Sequence, residues 1–486
     1  MGDVEECRAK DSLEAFMKNV KIAADEFLAL DKGETIRLVS HLDCDGISAA
    51  SIMIRMLNRL NRRYALSIIP QLDEKAISEL SRENYKTFFF TDIGSGQIFR
   101  IRKFMKEKKV FILDHHDIER NSEESEKSDG IVHLNPHLSG IDGDSEISGA
   151  GVVFLFATEI DKKNEDMAHI ALIGAIGDIQ DRNGFSGINL SIIKTAEKNG
   201  RIKVEKGLRL FGAQTKPIHK LLEQSTDFFI PGITGSESSS IQFLKSLGIN
   251  PRNSEGSWKK LPNLSSEEMK KLVTGIILMR LEEKNPEDIL GQVYTILGEE
   301  EESPLRDAKE FSTLLNACGR MGKASFGIGA CLGDSRAKQQ ALSTLVDYKK
   351  EIMKSLKWYE ENRESKAVVS GDGFMIINAS DKVIPTVIGT MASIISKSGM
   401  IPEGTIIVSM AQAESGKTKV SGRVAGRKQS EHDMSAVMRK ITSIAGGEAG
   451  GHRNASGAVI QTENEEKFIA AAQSVLSNIC KEEKVF

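Results

Sequence analysis

Four short stretches of the sequence bring acids and histidines together after an apolar run. The most distinctive reads FILDHH at 111–116, where one acid and two imidazoles end the run. The others are HLDCDG at 41–46, TDIGSG at 91–96 and GDIQD at 177–181. Carboxylate oxygens and imidazole nitrogens suit divalent ions such as Mn²⁺ and Mg²⁺. Together, the four stretches predict one metal site assembled from several strand or helix ends.

Taken one at a time, these stretches have ordinary structural explanations. His41, Asp43 and Asp45 alternate after a strand-like run, and in an extended turn alternate side chains point the same way. Asp-rich turns are nevertheless common. Asp92 alone fits a helix N-cap, and Asp178 alone fits the last turn of a helix.

The conjunction of the four turns favours a metal site over these separate explanations. His115 and His116 are adjacent and cannot easily point at one ion, so we expect one to ligate while the other faces a substrate. Several acids at one edge suit a dinuclear site that clamps a phosphoryl displacement. No activated Ser, Cys or Lys is evident, which favours direct attack by water activated at the site.

The elements before residue 160 alternate between strand-like and helical patterns. Apolar runs at 36–40, 65–69, 87–90 and 110–113 are separated by helix-length segments, which is typical of βαβ units and a parallel sheet. Ligands of such sheets bind at the carboxyl ends of the strands. Three of the four acidic turns follow these runs directly, so the sequence predicts that they meet at one edge.

The chain of 486 residues is too long for one ordinary core. We predict an α/β protein with a parallel-sheet catalytic domain over 1–195 and a mainly helical middle region and linker over 196–365. A C-terminal α/β domain is expected over 366–486. Within the middle region, RIKVEKGLRLFG at 201–212 predicts a β-hairpin.

Composition limits the function classes. The 65 basic and 69 acidic residues give a net charge of −4, so binding to a polyanion would need a local basic groove. No apolar run reaches the ~18 residues that span a membrane, and the N-terminus is polar rather than signal-like. The five scattered cysteines favour a reduced, cytoplasmic protein without a membrane partner.

In this order, the four motifs resemble the DHH phosphoesterase superfamily. GGHRNASGAVI resembles its associated C-terminal domain, and EFSTLLNACGRMGK at 310–323 is most similar to archaeal RecJ-type exonucleases. The resemblance is firm over 36–185 and 405–460. It implies a nuclease that degrades single strands from an end and depends on Mn²⁺, the preferred ion, or Mg²⁺.

The resemblance also implies two bound ions. One would be held by His41, Asp43 and Asp92. The other would be held by Asp45, Asp92, His115 and Asp178. Asp92 would therefore bridge the two ions, in the manner of other two-metal phosphoesterases.

The same resemblance implies roles for two residues beside the expected metal ligands, one supporting the site and one acting on the substrate. Asp114 would support the site, and His116 would touch the scissile phosphate, so that both count with Asp43 as catalytic. Bacterial members begin the first motif with Asp, whereas this chain has His41. Other branches of the superfamily also have His at this position. His133 and His137, in HLNPH, fit a supporting role at the site or substrate and plain loop structure equally well.

The C-terminal motifs suit phosphate binding. Their glycines expose backbone N–H groups, and the family motif SGR implies an arginine that forks onto a phosphate. The candidate substrate-binding residues are Ser421, Arg423, Gly450, Gly451 and His452. Tight turns beside strands are an alternative explanation of the glycines. The domain order predicts an active-site cleft between the first and last domains that takes a single strand.

The expected function is hydrolysis of single-stranded DNA or RNA from an end, 5′→3′ by default, in DNA repair or replication. Oligoribonuclease, cyclic-dinucleotide phosphodiesterase and pyrophosphatase activities of the same superfamily are alternatives. A replisome scaffold is another, because RecJ-like proteins resemble a cell-division-cycle subunit of the eukaryotic replicative helicase. Archaeal relatives associate with the GINS replication complex, so we expect a GINS partner at a surface within 200–330.

Overall fold

A computed structural model of the chain describes residues 2–118, 130–182, 184–225, 228–413, 416–426, 433–452 and 455–482. The side chains at 2–10, 452 and 481–482 are outside this description. The chain divides into two compact units, Met1–Leu345 and Val346–Phe486. The three-domain division with boundaries at 195 and 365 stays a prediction.

The first unit is built on a five-stranded parallel sheet in the order β2-β1-β3-β4-β5. Its strands are β1 (Ile36–His41), β2 (Tyr64–Ile69), β3 (Thr87–Thr91), β4 (Lys109–Leu113) and β5 (Ile131–Leu134). The sequence pattern predicted the first four and missed β5, which has four residues and buries only the last. The strand order reverses between β1 and β3, and such a switch point opens a crevice at the carboxyl ends.

Helices cover both faces of this sheet. The helices of this part of the chain are α1 (Gly2–Leu28), α2 (Cys44–Arg59), α3 (Glu74–Ser81), α4 (Ile98–Phe104), α5 (Gly149–Ile160), α6 (Ala168–Gly177) and α7 (Gly187–Lys198). On one face Phe89 packs against Phe27 of α1 and Phe156 of α5. On the other, Phe88 and Phe90 share a core with α3 and α4. All three phenylalanines of β3 are fully buried.

The rest of the first unit is mainly helical. It contains α8 (Ile218–Glu223), α9 (Glu237–Ser246), α10 (Ser266–Met279), α11 (Ala308–Arg320), α12 (Ala324–Cys331) and the strands β6 (Ile202–Leu208) and β7 (Leu290–Ile296). The hairpin predicted at 201–212 is wrong, because β6 pairs antiparallel with the distant β7. Gly207 does not form a turn: it lies within the strand, where a Cβ would be 3.2 Å from the Val293 side chain.

Helix α13 (Ser335–Asn362) leads the chain into the second unit, which has a six-stranded mixed sheet. The strands are β8 (Val368–Gly371), β9 (Phe374–Asn378), β10 (Ile406–Ala413), β11 (Lys417–Val424), β12 (Glu448–His452) and β13 (Ala455–Gln461), in the order β12-β13-β11-β10-β9-β8. The helices are α14 (Ile388–Lys397), α15 (Met434–Ala445) and α16 (Glu465–Glu482). Met438 of α15 and Phe468 of α16 share a core with Val420. Across the described residues, no helix is long and apolar enough to cross a membrane.

Candidate metal centre

The turn after β1 places two acids and a histidine at the switch point. His41 is the last residue of β1, and Asp43 caps α2 by accepting a hydrogen bond of 3.0 Å from the Gly46 amide. Asp45 lies in the first turn of α2. The predicted extended turn is therefore wrong beyond Asp43, because the helix begins at Cys44. Gly46 is required here, since a Cβ would collide with the His41 carbonyl.

Asp45 is held by the N-terminus of α5. Its carboxylate accepts hydrogen bonds from the amides of Gly149, at 2.6 Å, and Ala150, at 3.1 Å. A helix N-terminus stabilises a negative charge at such a position. Gly174 of α6 allows this close approach, because a Cβ there would collide with the Asp45 carboxylate.

Asp92, directly after β3, is not a helix N-cap. Its φ of 58° lies in the left-handed region, where residues other than glycine are uncommon. The side chain is 1% exposed, and neither carboxylate oxygen has a hydrogen-bond partner among the described residues. Buried polar atoms are nearly always paired, so two unpaired oxygens on one carboxylate fit a residue that binds a cation.

Asp114 supports the two histidines that follow it. Its carboxylate accepts hydrogen bonds from the Ser95 amide at 2.8 Å, from the His115 amide at 2.8 Å and from His116 Nδ1 at 2.7 Å. Burial opposes its ionisation, but the charges of His116 and His115 hold the pKa of Asp114 well below its usual range. Asp114 thus orients Ser95 and the two histidines, while its part in the reaction stays a prediction.

His115 presents one nitrogen to the acids. Its Nδ1 lies 2.7 Å from the Gly143 carbonyl, so this hydrogen bond assigns the ring proton to Nδ1. Nε2 lies 3.4 Å from Asp92 Oδ1, 3.3 Å from Asp178 Oδ2 and 3.8 Å from Asp45 Oδ2. Nε2 is buried without a hydrogen-bond partner in the described part of the chain. Its lone pair is thus available to a cation.

Three groups of potential ligand atoms lie within 4.8 Å of one another. They are His41–Asp43–Asp92, Asp45–His115–Asp178 and Asp92–His115–His116. The first two combine the residues that we assigned to two separate ions, with Asp92 beside both. The four acidic turns therefore meet as expected, while the ligand role of each side chain stays a prediction.

The electrostatics of the cluster also fit a cation. Burial and the neighbouring Asp92 raise the pKa of Asp45 to about 8. Burial and Asp45 raise the pKa of Asp178 well above its usual value. These carboxylates are too close to be readily ionised together without positive charge, which bound divalent ions would provide.

Two buried amides that the sequence interpretation missed lie behind His115. Gln180 donates hydrogen bonds to the carbonyls of Gly143, at 2.9 Å, and Ile147, at 3.2 Å. Asn189 of α7 donates in turn to Gln180 Oε1 at 2.7 Å. Gln180 lies in the GDIQD stretch, so its position two residues after Asp178 was the available signal. The pair fixes the carbonyl that orients His115.

A second missed network lies behind His116. Asn135 donates to the His116 carbonyl at 2.9 Å and to Ser95 Oγ at 2.8 Å. His133 on β5 lies 2.9 Å from the same hydroxyl. Burial lowers the pKa of His133 to about 4, so the ring is neutral near pH 7. Of the two interpretations of HLNPH, the structure favours the supporting role.

The RecJ-like phrase at 310–323 forms α11 and lies behind the first motif. Asn316 Oδ1 accepts a hydrogen bond of 3.2 Å from the Cys44 amide. A Cβ at Gly319 would collide with the Leu42 carbonyl, so only glycine allows α11 to lie this close. The phrase therefore helps to fix the turn that carries Asp43 and Asp45.

The predicted substrate-binding residues lie in the second unit. Ser421 and Arg423 are two apart on β11, and Ser421 lies in one row with Gly457 and Gly450. Arg423 donates from Nε to Ser393 Oγ on α14 at 2.8 Å. A Cβ at Gly450 would meet nothing within 4 Å, so its backbone is open.

Gly451 and His452 complete the predicted set. Gly451 falls on the opposite face of the sheet from Gly450, and its φ of 123° and its approach to the Ala455 carbonyl explain the glycine structurally. The side chain of His452 lies outside the described residues. Contact of any of these residues with a substrate stays a prediction.

Comparison with known proteins identifies the family. The family models for the DHH family N-terminal domain, the DHH-CID domain and the DHHA1 domain match residues 35–177, 210–293 and 372–478. An uncharacterised protein of Methanocaldococcus jannaschii is 30% identical over 448 residues, which cover 91% of this chain and 93% of the relative. The chain belongs to the DHH family. The single-stranded-DNA-specific exonuclease RecJ of Bacillus subtilis is 26% identical over 34% of this DHH chain and 21% of its own length.

Solved structures share the fold of this DHH protein. RecJ of Thermus thermophilus in complex with Mn²⁺ matches with a TM-score of 0.56 at 15% identity over 95% of this chain, which spans 55% of that protein. A manganese-bound exonuclease RecJ matches with a TM-score of 0.54 at 16% identity, over 95% of this chain and 94% of that protein. CDC45 of Entamoeba histolytica matches with a TM-score of 0.60 at 13% identity, over 96% of this chain and 99% of that protein. The chain is thus a DHH-family phosphoesterase with the fold of RecJ and CDC45.

Proposed function

We propose that this protein is a two-metal-dependent exonuclease that hydrolyses phosphodiester bonds of single-stranded DNA or RNA from an end. The observation that carries the proposal is the convergence of four acidic turns on a buried cluster in which Asp92 and His115 keep unpaired ligand atoms. Membership of the DHH family and the RecJ-like fold support it. The manganese- and magnesium-bound RecJ structures support the same choice of ions.

The chain's own residues would divide the work of binding and orientation. His41 and Asp43 with Asp92 would hold one ion, and Asp45, Asp92, His115 and Asp178 would hold the other. When bound, such ions supply the Lewis acidity that activates water and neutralises charge on a phosphate.

His116 would act on the phosphate through a proton. Its Nδ1 is engaged by Asp114, and its side chain is 36% exposed, in contrast to the buried His115. Burial lowers the pKa of His116, but the charge of Asp114, helped by Asp92, raises it above the ordinary value. A protonated ring held in this way can donate from Nε2 to a phosphate oxygen as negative charge develops there.

The decisive experiment uses single strands of DNA and RNA, each labelled at the 5′ or the 3′ end, with Mn²⁺ or Mg²⁺. We expect stepwise release of mononucleotides from one end, with 5′→3′ as the default direction. The same assay gives the polarity, the sugar preference and the ion.

Asp92→Asn tests the role of the metal cluster in this activity. The variant keeps the size of the side chain but removes the charge shared by both ligand groups, so hydrolysis should fall by at least ~100-fold. Asp117→Asn, at an exposed carboxylate near the same motif, is the matched control and should keep native activity. Equal activities of the two folded variants would refute the proposed mechanism.

A non-catalytic role in replication is the second candidate. The fold likeness to CDC45 covers almost the whole of both chains and motivates it. In that role, the protein would bind the GINS complex through the segment 200–330. Tight binding of Mn²⁺ without hydrolysis of any labelled strand, together with co-purification of GINS, would favour this candidate over the nuclease.

A further inference from the structure

Helix α6 ends in a turn that normally contains glycine. The Gln180 amide donates to the Ala175 carbonyl at 3.0 Å, and the Ile179 amide donates to the carbonyl of Ile176 at 3.0 Å. These two bonds form the Schellman motif, whose left-handed position is usually glycine and sometimes asparagine. Here the position is occupied by Ile179, with φ of 61°. A β-branched residue is an outlier in this region, so the backbone is strained at Ile179.

Packing within the fold does not explain the isoleucine. Its side chain is 64% exposed, and the buried position that follows is filled by Gln180, which donates to the Gly143 carbonyl. Single exposed apolar residues are common on protein surfaces. At a strained position, however, an exposed isoleucine neither fills the core nor stabilises the turn. Glycine would end the helix with less strain.

The residues after Ile179 are held by other parts of the first unit. Arg209 donates to the Arg182 carbonyl at 2.8 Å, and Lys309 Nζ lies 2.9 Å from Asp181 Oδ2. A strained conformation persists where the surrounding structure fixes it, and it is often part of a functional site. The turn therefore presents an exposed apolar side chain in a fixed position.

This side chain lies at the rim of the candidate metal centre. Ile179 directly follows Asp178, and consecutive Cα atoms are ~3.8 Å apart. Asp178 Oδ2 is 3.3 Å from His115 Nε2, within the ligand group Asp45–His115–Asp178. The Asp178 side chain is 23% exposed, whereas that of His115 is 3% exposed. Solvent therefore reaches this ligand group at Asp178, beside Ile179.

The position of Ile179 suits contact with a nucleobase. A phosphodiester at the metal centre would bring the sugar and base of a nucleotide close to the rim. Proteins contact unstacked bases with aliphatic as well as aromatic side chains. Such contact tolerates any sequence, because every base has a π-face. Pyrophosphate and polyphosphate have no apolar group that could make it.

We propose that Ile179 packs against the face of the nucleobase next to the scissile phosphate and positions that nucleotide at the metal centre. This inference rests on the proposed nuclease function. It narrows the substrate class to phosphodiesters that carry a base at the reacting position. Glycine at residue 179 would relieve the strain of the turn but would leave the base without this contact.

Ile179→Gly separates the proposed role from a structural one. The variant suits the left-handed turn, so its Tm should equal or exceed the native value, whereas loss of a structural side chain would lower Tm. With Mn²⁺, kcat/KM for an eight-nucleotide oligo-dT should fall on the order of tenfold, the effect of losing one base contact. Ile179→Asn provides a second variant, because asparagine also tolerates the left-handed position.

Strands that lack one base test the contact directly. Each oligo-dT carries an abasic site at the first, second or third nucleotide from either end. The native protein should prefer the intact strand on the order of tenfold at one of these positions, and Ile179→Gly should lose that preference. The preference is measured in cleavage and, by fluorescence anisotropy with Mn²⁺, in binding of phosphorothioate strands that resist hydrolysis.

Asn61→Gly is the matched control. Asn61 is another exposed residue in the left-handed region, with φ of 52°, and lies between α2 and β2, outside the three ligand groups. This variant relieves strain without touching the rim, so it should keep the native rate and the native preference for a base. The inference is overturned if Ile179→Gly keeps the native preference, or if the native protein shows none.

Failure of the nucleobase contact and failure of the nuclease proposal give different results, because binding is measured without cleavage. A native protein that hydrolyses single strands without an Ile179-dependent preference would retain the nuclease function and lose the contact. An Ile179-dependent preference in binding, without hydrolysis of any strand, would retain the contact and lose the nuclease function.

Discussion

Asp92 is the residue whose conformation most needs a functional reason. A non-glycine residue with φ of 58° costs on the order of 1–3 kcal/mol, and a buried carboxylate without partners adds a desolvation cost. Both features persist only where the surroundings enforce them. The neighbouring β4 contributes to that enforcement, since the Asp92 amide donates a hydrogen bond to the Leu113 carbonyl at 2.9 Å. The strain places an unpaired carboxylate between the two ligand groups.

His116→Gln tests the separation of roles between the adjacent histidines. Because His115 faces the acids and His116 is bound by Asp114, the variant should lower kcat by roughly 100-fold or more while Mn²⁺ affinity stays close to native. The measurements are steady-state kinetics and calorimetric titration with Mn²⁺. His169→Gln, at a half-buried histidine of α6 outside the three ligand groups, is the control. A parallel loss of Mn²⁺ affinity would make His116 a ligand instead.

For single residues, the sequence predicted which side chains would come together better than it predicted the backbone conformation and contacts of each. The types and spacing of His41, Asp92, His115 and Asp178 predicted that they would meet, and they do. The sequence did not show that Asp45 enters a helix, because this depends on the Asp43 cap and on the amides of α5. It also did not distinguish an N-cap from an unpaired carboxylate at Asp92, since that depends on φ and on which groups of the described residues come within hydrogen-bond distance of its oxygens.

Helices α6 and α7 contribute to the metal centre mainly by orienting His115. Among the described residues, the only candidate ligand beside them is Asp178, which directly follows α6. The Gln180 amide, held by Asn189, fixes the Gly143 carbonyl that accepts from His115. Partners of metal-binding histidines commonly change metal affinity 10–100-fold when they are removed.

Gln180→Leu should therefore weaken Mn²⁺ binding by roughly 10-fold or more. Gln180→Glu, which keeps the shape and the acceptor for Asn189 but removes both donors, should have a similar effect. Titration calorimetry measures the affinity, and thermal melting shows whether the fold is retained. Asn199→Leu, at the C-terminal end of α7, is the control. Native Mn²⁺ affinity in a folded Gln180→Leu protein would show that the Gly143 carbonyl does not need this support.

Helices and strands were predicted correctly where their own residues carry the signal, and wrongly where the structure depends on a distant part of the chain. The strands β1, β3 and β4 are buried apolar runs, so composition alone marks them. The predicted hairpin at 201–212 failed because the partner of β6 is β7, and no local pattern reports pairing across that distance. The sequence also did not predict that α11 packs against the first motif, because the need for glycine at 319 comes only from the nearby Leu42 carbonyl.

For the whole molecule, the two compact units divide the candidate functions. Every group of potential metal ligands found among the described residues lies in Met1–Leu345, whereas the predicted substrate-binding residues, Ser421 and Arg423 among them, lie in Val346–Phe486. A divalent ion should therefore stabilise one unit and a phosphate backbone the other. Sequence alone indicated this division through motif order, but not where each compact unit ends.

This division predicts a calorimetric result for the full chain. A ligand that binds only folded protein stabilises it by ~2.7 kcal/mol per site at one hundred times its Kd. Mn²⁺ should accordingly raise the Tm of the first unit by several degrees and leave the transition of the second unit unchanged. The shift should be largely lost in Asp92→Asn and kept in Asp117→Asn. Equal shifts of both transitions, or an unchanged shift in Asp92→Asn, would contradict a metal centre confined to the first unit.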